Sequence, residues 1–146
     1  MSLQIRPGGL DDVGAIVRLI RELATAYGEE SPVTEASARE YLSSPGSHVL
    51  LAGRAGQAIG LLSYTIRPNL YHAGPTALIE ELVVQASERG SGVGSALLSE
   101  LLSELARLGV VEVSVSTMPD NQRAKRFYQA HGLIDEAIFL EKHLDH

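Results

Sequence analysis

Three glycines at alternate positions are the first feature of this sequence that could do chemistry. Gly90, Gly92 and Gly94 lie in the run RGSGVG, between an apolar segment and a helical pattern. Glycine has no Cβ atom, so its backbone N–H groups can approach a ligand closely, and a helix N-terminus adds about half a positive charge. The combination suits a phosphate or pyrophosphate. The alternative is a tight turn that only joins two core elements.

Spacing separates three phosphate-binding motifs. A P-loop requires Lys and then Ser or Thr after its last glycine, but Ser and Ala follow Gly94. A dinucleotide fingerprint requires glycine at its sixth position, which is Ser95 when counted from Gly90. The third motif, Arg/Gln-x-x-Gly-x-Gly/Ala, is matched by Arg89 and Gly92 together with Gly94.

This third motif resembles the coenzyme A pyrophosphate loop of the GNAT family of acyl-CoA N-acyltransferases. A second stretch, NQRAKRFYQAHGL at residues 121–133, resembles the same family's Asn-x-x-Ala-x-x-Phe-Tyr-x-x-x-Gly-Phe signature. Leu133 stands where Phe is usual. Two motifs in the family's order are more specific than either alone. The resemblance is strong from residue 77 to 133 and weak before residue 47.

The resemblance implies how acetyl-CoA would bind as co-substrate. Its pyrophosphate would lie over the glycine loop, its pantetheine arm would pair with a strand, and Asn121 would bond that arm. The implied cofactor-binding residues are Leu82, Val83, Val84, Arg89, Gly90, Ser91, Gly92, Val93, Gly94, Ser95, Asn121, Ala124 and Tyr128. We predict no metal site, because no His/Asp/Glu spacing suggests one.

Two carboxylates, Glu80 and Glu81, interrupt the apolar strand predicted at residues 77–84. Buried glutamates are rare unless paired or functional. A lysine-like amine has a pKa of about 10.4, so its neutral form costs roughly 4–5 kcal/mol at pH 7, and a carboxylate beside it would offset part of that cost. Strand neighbours face opposite sides, so we expect only one to line a cleft. The family motif favours Glu80, with Glu81 second; alternatively, one reaches the sheet rim and pairs with an arginine.

Tyr128 is the candidate proton donor to the departing thiolate. It lies one helical turn after Ala124, where the resemblance implies that the sulfur emerges. A phenol with a pKa of about 10 can donate to a thiolate whose conjugate acid lies near 8.5. The alternative is an aromatic core residue with its hydroxyl at the edge. The chain has no Cys and no Gly-x-Ser-x-Gly elbow, so we expect direct amine attack in a ternary complex.

The elements that must position these groups are predicted in the order β-α-α-β-β-β-α-β-α-β. Asp11, Thr34 and Asn121 are predicted helix N-caps. The predicted strands are residues 4–6, 47–52, 57–66, 77–84, 110–116 and 135–142, with Pro68 ending the third, and the long central helix is residues 93–108. This order gives an α+β fold, a three-layer α/β/α sandwich with a mixed central sheet of about six to seven strands. It is also the GNAT layout, and residues 1–146 form one predicted domain.

The acceptor is a small-molecule or peptide amine whose identity the sequence leaves open. In the family the first two helices border the acceptor site, and Tyr27, Glu29 and Glu30 at the end of the first helix are candidate substrate-facing groups; a solvated helix end is the alternative reading. Rival functions are a catalytically silent acyl-CoA sensor and, more weakly, an adenine-nucleotide-binding domain.

The composition of the chain limits the classes of binding partner that we expect for it. A formal net charge of −6 argues against nucleic acid. No apolar run approaches the roughly 18 residues of a membrane span, so we expect no membrane partner and a cytoplasmic protein. A homodimer is common in the family and is a further expectation.

Overall fold

The computed structural model describes residues 2–145 as one mixed sheet with helices on both faces. The strands are β1 (Leu3–Pro7), β2 (Ser47–Arg54), β3 (Gln57–Asn69), β4 (Gly74–Val84) and β5 (Glu112–Val115). The helices are α1 (Val13–Ala26), α2 (Glu35–Ser43), α3 (Val93–Arg107) and α4 (Gln122–Ala130). Short 3-10 turns occupy Leu10–Asp12 and Ala86–Glu88.

The sheet order is β1-β2-β3-β4-β5. Each of the first four strands is antiparallel to its neighbour, and β5 runs parallel to β4. A parallel pair needs a crossover, which α3 supplies between β4 and β5. The mixed sheet with helices on two faces confirms the predicted α+β sandwich.

Alternating side chains divide the core into two layers. On β2, Leu50 packs in the cluster that contains α3, whereas Leu51 packs in the cluster that contains α1 and α2. On β3, Leu62 and Leu61 divide in the same way. This period of two identifies the face on which each site residue of β3 and β4 lies.

Two of the three predicted N-caps are confirmed. The Thr34 side chain accepts a hydrogen bond from the Ser37 N–H at 3.1 Å, and Asn121 caps α4. Asp11 is wrong, because α1 begins at Val13 with Asp12 before it. The Asp12 carboxylate is engaged elsewhere: it accepts from the Gly9 N–H at 2.8 Å and pairs with Arg6 at 2.7 Å.

The sequence analysis predicts more strands than the described sheet contains. The closing strand predicted at residues 135–142 is absent, so the described sheet has five strands rather than six or seven. Ile138 and Leu140 are each 88% exposed. The segment has strand-like composition, but a strand also requires a partner edge, which composition does not specify.

Strand β3 is longer than predicted. Pro68 does not end it, because the strand runs to Asn69 with Pro68 paired opposite Pro75. Proline has no N–H group. Pairing two prolines near the end of a ladder therefore leaves no N–H group without an acceptor at that position. The connection between β3 and β4 is therefore a turn at residues 70–73.

Candidate active site

A β-bulge in β4 places both glutamates on one face of the sheet. Ser63 pairs with Glu81 and Tyr64 pairs with Ile79, so Glu80 is an extra residue. The Thr65 hydroxyl bonds the Glu80 carboxylate at 3.4 Å, on the side of the sheet that carries α1 and α2. Glu81 lines a cavity on that same side. The expectation that the two face opposite sides is wrong, because a bulge interrupts the alternation.

Glu81 is held by a buried serine. The Glu81 N–H donates to the Ser63 hydroxyl at 3.0 Å, and that hydroxyl donates in turn to the Glu81 carboxylate. Burial raises the pKa of Glu81; the Ser63 hydrogen bond partly opposes this shift, and the nearby charge of Glu80 adds to it. Glu81 therefore holds a proton to higher pH than a solvated carboxylate does. Glu80 is exposed.

The cavity beside Glu81 has a volume of about 210 Å³ and lies between α1, α2 and strands β2 to β4. Its lining is apolar except near β3 and α2: Ile16, Ile20, Val33, Ser37, Ala38, Tyr41, Leu42, Val49, Leu61, Ser63 and Glu81. The Tyr41 hydroxyl lies 3.2 Å from the His48 carbonyl oxygen and 3.1 Å from that of Tyr64. Burial, and then the charge of Glu81, raises the pKa of Tyr41, which therefore stays neutral.

The predicted substrate-facing residues at the end of α1 lie outside this cavity's lining. Tyr27 is 61% exposed, and Glu29 and Glu30 are exposed in the connection to α2. The charge of Tyr27 makes a contribution, smaller than that of burial, to the raised pKa of Tyr128 on α4.

Strand β4 separates from β5 beside the bulge. The two strands pair only as far as Ile79 and Val115, whereas β4 continues to Val84 beside β3. Within residues 2–145, the β5 side of Leu82 and Val83 therefore has no strand partner. Unpaired backbone groups on a strand edge can bond an extended ligand. This is the segment for which the resemblance implies pantetheine binding; the Val84 carbonyl already accepts from Arg89 Nε at 3.3 Å.

The glycine loop presents open backbone. Gly90 and Gly92 have φ values of +81° and +86°, and nothing lies within 4 Å of where a Cβ atom would project. These are left-handed conformations that glycine adopts without strain. Gly92 directly precedes α3, and no side chain caps that helix. The first N–H groups of α3 therefore have no side-chain acceptor within residues 2–145, whereas in the loop the Ser91 N–H donates to the Glu88 carbonyl oxygen at 3.4 Å.

Two other residues of the loop region also serve packing. A Cβ atom at Gly94 would lie 3.5 Å from the Phe127 ring, an ordinary van der Waals distance, so this position packs against α4. Val93 is 1% exposed, so its side chain belongs to the core and only its backbone could meet a ligand. Ser91 is exposed and Ser95 is partly buried. The loop is anchored by an ion pair between Arg54 and Glu88 at 3.2 Å.

Helix α4 carries the second motif. The Asn121 side-chain oxygen accepts from the Ala124 N–H at 3.0 Å, which leaves its NH₂ group for a ligand. Tyr128 packs edge-on against Phe127, with ring centroids 5.1 Å apart. Burial, with a smaller contribution from Tyr27, raises the pKa of Tyr128 to about 12. Its hydroxyl is therefore protonated throughout the neutral range.

Sequence reasoning missed Ser63 and Tyr41. Ser63 is the buried polar residue of the described chain and lies in an apolar run, GLLSYTI. A hydroxyl at a core-facing strand position was a usable signal, because buried polar groups need partners. Tyr41 gave no such signal, since a tyrosine on an amphipathic helix is an ordinary packing residue.

Two further kinds of feature, a membrane-spanning helix and a metal-binding cluster, are absent from the part of the chain that the structure describes. No helix among residues 2–145 is long and apolar enough to cross a membrane. Within the same described range, no group of three or more His, Cys, Asp or Glu side chains is placed to hold a metal ion.

Comparison with known proteins identifies the family. The profile of the Acetyltransferase (GNAT) family matches residues 15–133. This chain therefore belongs to the GNAT family of acetyltransferases. Among similar proteins, the aminoalkylphosphonate N-acetyltransferase of Salmonella typhimurium is 30% identical over 129 residues, which cover 88% of this chain and 83% of that protein.

Further similarity extends to a mammalian enzyme and to a solved structure. The thialysine N-epsilon-acetyltransferase of Bos taurus is 26% identical over 144 residues, covering 91% of this chain and 85% of that protein. The crystal structure of an aminoglycoside acetyltransferase from an uncultured soil metagenomic sample superimposes with a TM-score of 0.85 at 20% identity, covering 98% of this chain and 95% of that one. At that identity the structural match establishes the fold alone.

Proposed function

We propose that this protein transfers an acetyl group from acetyl-CoA to a primary amine by direct attack in a ternary complex. One observation carries the proposal. The bulge, the separated edge and the glycine loop follow one another along β4 and its exit, so carboxylates, an unpaired strand edge and an anion-binding loop meet at one end of one strand.

The chain's own residues suit each requirement of the reaction. The glycine loop and the start of α3 would hold the pyrophosphate, and the free edge near Leu82 would align the pantetheine arm and present an N–H group to the thioester carbonyl. A carboxylate takes the proton of the ammonium directly or through water. The neutral nitrogen then bonds to the acyl carbon, the carbon–sulfur bond breaks, and the proton that nitrogen loses on becoming an amide passes through solvent to the departing thiolate, so that free thiol is released.

Glu80 and Glu81 have unequal access to that amine proton. Glu81 already accepts from Ser63 and is partly buried. Glu80 is exposed and can exchange a proton with solvent. We therefore keep Glu80 as the preferred proton acceptor and place Glu81 beside it as a second carboxylate facing the amine.

Tyr128 is proposed to donate to the leaving sulfur. Its pKa of about 12 exceeds that of a thiol, near 8.5, so complete proton transfer to the thiolate is uphill. A hydrogen bond that strengthens as negative charge develops on sulfur is favourable, because the hydroxyl is always protonated and sits in a partly buried site. Tyr128 therefore acts first as a donor that stabilises the thiolate.

The relatives' names support an amine acceptor. They describe acetyltransfer to an aminoalkylphosphonate and to thialysine. A silent acyl-CoA sensor is the second candidate function and would bind acetyl-CoA without turnover. A cytoplasmic location and a homodimer stay predictions of the sequence.

A turnover screen with acetyl-CoA against a panel of primary amines tests the proposal, with release of free thiol as the readout. Amine-dependent thiol release above the hydrolysis background is the expected result. Calorimetric binding of acetyl-CoA with no turnover on any amine would favour the sensor, and stronger competition by ATP than by coenzyme A would favour a nucleotide-binding domain.

Glu80→Gln is expected to leave acetyl-CoA affinity nearly unchanged and to slow transfer most at low pH. The reason is that the neutral amine is scarcest there and the carboxylate matters most. Steady-state kcat/KM measured across pH checks this, with Glu81→Gln as the matched variant on the neighbouring residue. A low-pH defect confined to Glu81→Gln would assign the proton to Glu81 instead.

Glu81→Gln is expected to raise Tm at pH 7 relative to the wild type. The native protein holds the Glu81 proton to higher pH than the unfolded chain does, so stability falls as pH rises from the ordinary glutamate value of about 4.3 through the raised pKa. An uncharged amide avoids that loss and can still accept from Ser63. Thermal unfolding at pH 4 and pH 7 is the measurement; an advantage of Gln that is equal at both pH values would contradict the assignment.

A further inference from the structure

The cavity under α2 is more apolar than a general amine site requires. Seven of the eleven side chains that line it are aliphatic, and none is Lys, Arg or His. A polar acceptor would leave its own hydroxyl or charged groups without partners against Ile16, Ile20 and Leu61, which is costly in a buried site. An apolar chain would be stabilised there.

One end of the cavity lies nearer to the proposed reaction site than the other. It extends from Val49 on β2, across Leu61 and Ser63 on β3, to Glu81 on β4. Glu81 lies just beyond the point where β4 and β5 separate. The end at β4 therefore meets the Glu81 carboxylate, next to Glu80 and to the separated edge in the strand, while the other lining residues lie on α1, α2, β2 and β3 and before α2.

Building on the proposed function, we propose that the acceptor is a primary amine carried on an apolar carbon chain, with the chain in this cavity and the amine at its Glu81 end. Charge decides between an amine chain and a long acyl chain as the occupant. An ammonium group is attracted to a wall that carries the Glu81 carboxylate and, among its described lining residues, no Lys, Arg or His, whereas an acyl chain next to its thioester gains nothing from a carboxylate in the wall.

The test is a series of straight-chain amines from ethylamine to octylamine, assayed with acetyl-CoA. Expected is a rise in kcat/KM of about fourfold per methylene, the increment for burying one CH₂ group, until the cavity is full. A polar amine of similar length, such as lysine, should fall below the alkylamine. The ratio of octylamine to ethylamine is the readout, because general damage to the enzyme cancels from it.

Val33→Phe is the informative variant. Val33 is partly buried in the connection before α2 and lines the cavity, so a phenyl ring there would occupy the chain's space. The octylamine to ethylamine ratio should fall at least tenfold. Val111→Phe is the matched control, since Val111 is 56% exposed and is not a lining residue, and it should keep the wild-type ratio.

Binding supplies a readout that is independent of turnover. The rise in Tm produced by each amine in the presence of coenzyme A should grow with chain length in the wild type and less in Val33→Phe. Turnover of polar amines with a flat alkyl series would overturn the inference and leave the proposed function standing. A flat amine series with rates that rise from acetyl-CoA to hexanoyl-CoA would assign the cavity to the acyl chain. No turnover and no length-dependent Tm shift would reject both.

Discussion

Tyr128→Phe is expected to lower kcat by about 10²–10³-fold, or roughly 3–4 kcal/mol of barrier, because one preorganised hydrogen-bond donor to the developing thiolate is lost while the fold stays intact. The Tyr128 ring packs edge-on against the Phe127 ring, and a phenylalanine at position 128 would preserve that contact. What is lost is a hydroxyl kept protonated by a pKa of about 12. The defect should be larger for acyl donors with more basic thiolates, because a less basic leaving group needs the donor less.

Steady-state rates at saturating amine, with chemistry shown to be rate-limiting, measure this effect. Tyr71→Phe is the control, because Tyr71 is 92% exposed in the turn between β3 and β4 and should be silent. A loss of less than about threefold in Tyr128→Phe would make Tyr128 a packing residue.

Gly92→Val is expected to weaken coenzyme A binding at least tenfold, which corresponds to about 1.4 kcal/mol. Gly92 has a φ of +86°, which a β-branched residue adopts only with strain. The added side chain would either project from the loop into the space proposed for the pyrophosphate or force the backbone away from it. Calorimetric titration with coenzyme A is the measurement.

Gly109→Val separates ligand effects from strain. Gly109 has a φ of +77° and equally open surroundings, but it lies after the opposite end of α3. Both variants should lower Tm to a similar degree, and only Gly92→Val should lose affinity. Equal affinities in the two variants would remove the glycine loop from the binding site.

The features that the sequence predicts well are local ones. A Thr or Asn N-cap and a glycine-rich turn into a helix each depend on neighbours within a few residues, so Thr34, Asn121 and Gly92 are where the pattern puts them. Apart from Asp11, which misses the start of α1 by one residue, the failures are non-local. Whether residues 135–142 find a sheet edge, and whether Pro68 ends a strand, depends on a partner segment that local pattern does not identify.

The site shows the same division. The glycine loop and the Asn121 motif are readable as spacing, and they are the parts on which the family resemblance rests. That Glu80 and Glu81 lie on the same face of the sheet could not be predicted from the sequence. A strict period of two predicts opposite faces, and the bulge opposite Ser63 is set by pairing with β3. The cavity is likewise assembled from five elements far apart in sequence, and its apolar lining looks like ordinary core.

The bulge has a consequence for how this chain tolerates changes in length. On either side of Glu80 the alternation of β4 is already continuous: Ile79 packs in the α3 layer, Glu81 faces the opposite side, and Leu82 returns to the α3 layer. Deleting Glu80 would therefore keep every remaining side chain of β4 on its present face. A one-residue deletion in the regular part of the strand would instead move every side chain beyond it to the opposite face of the sheet. Loss of a single codon at position 80 would thus remove one of the two carboxylates while sparing the core.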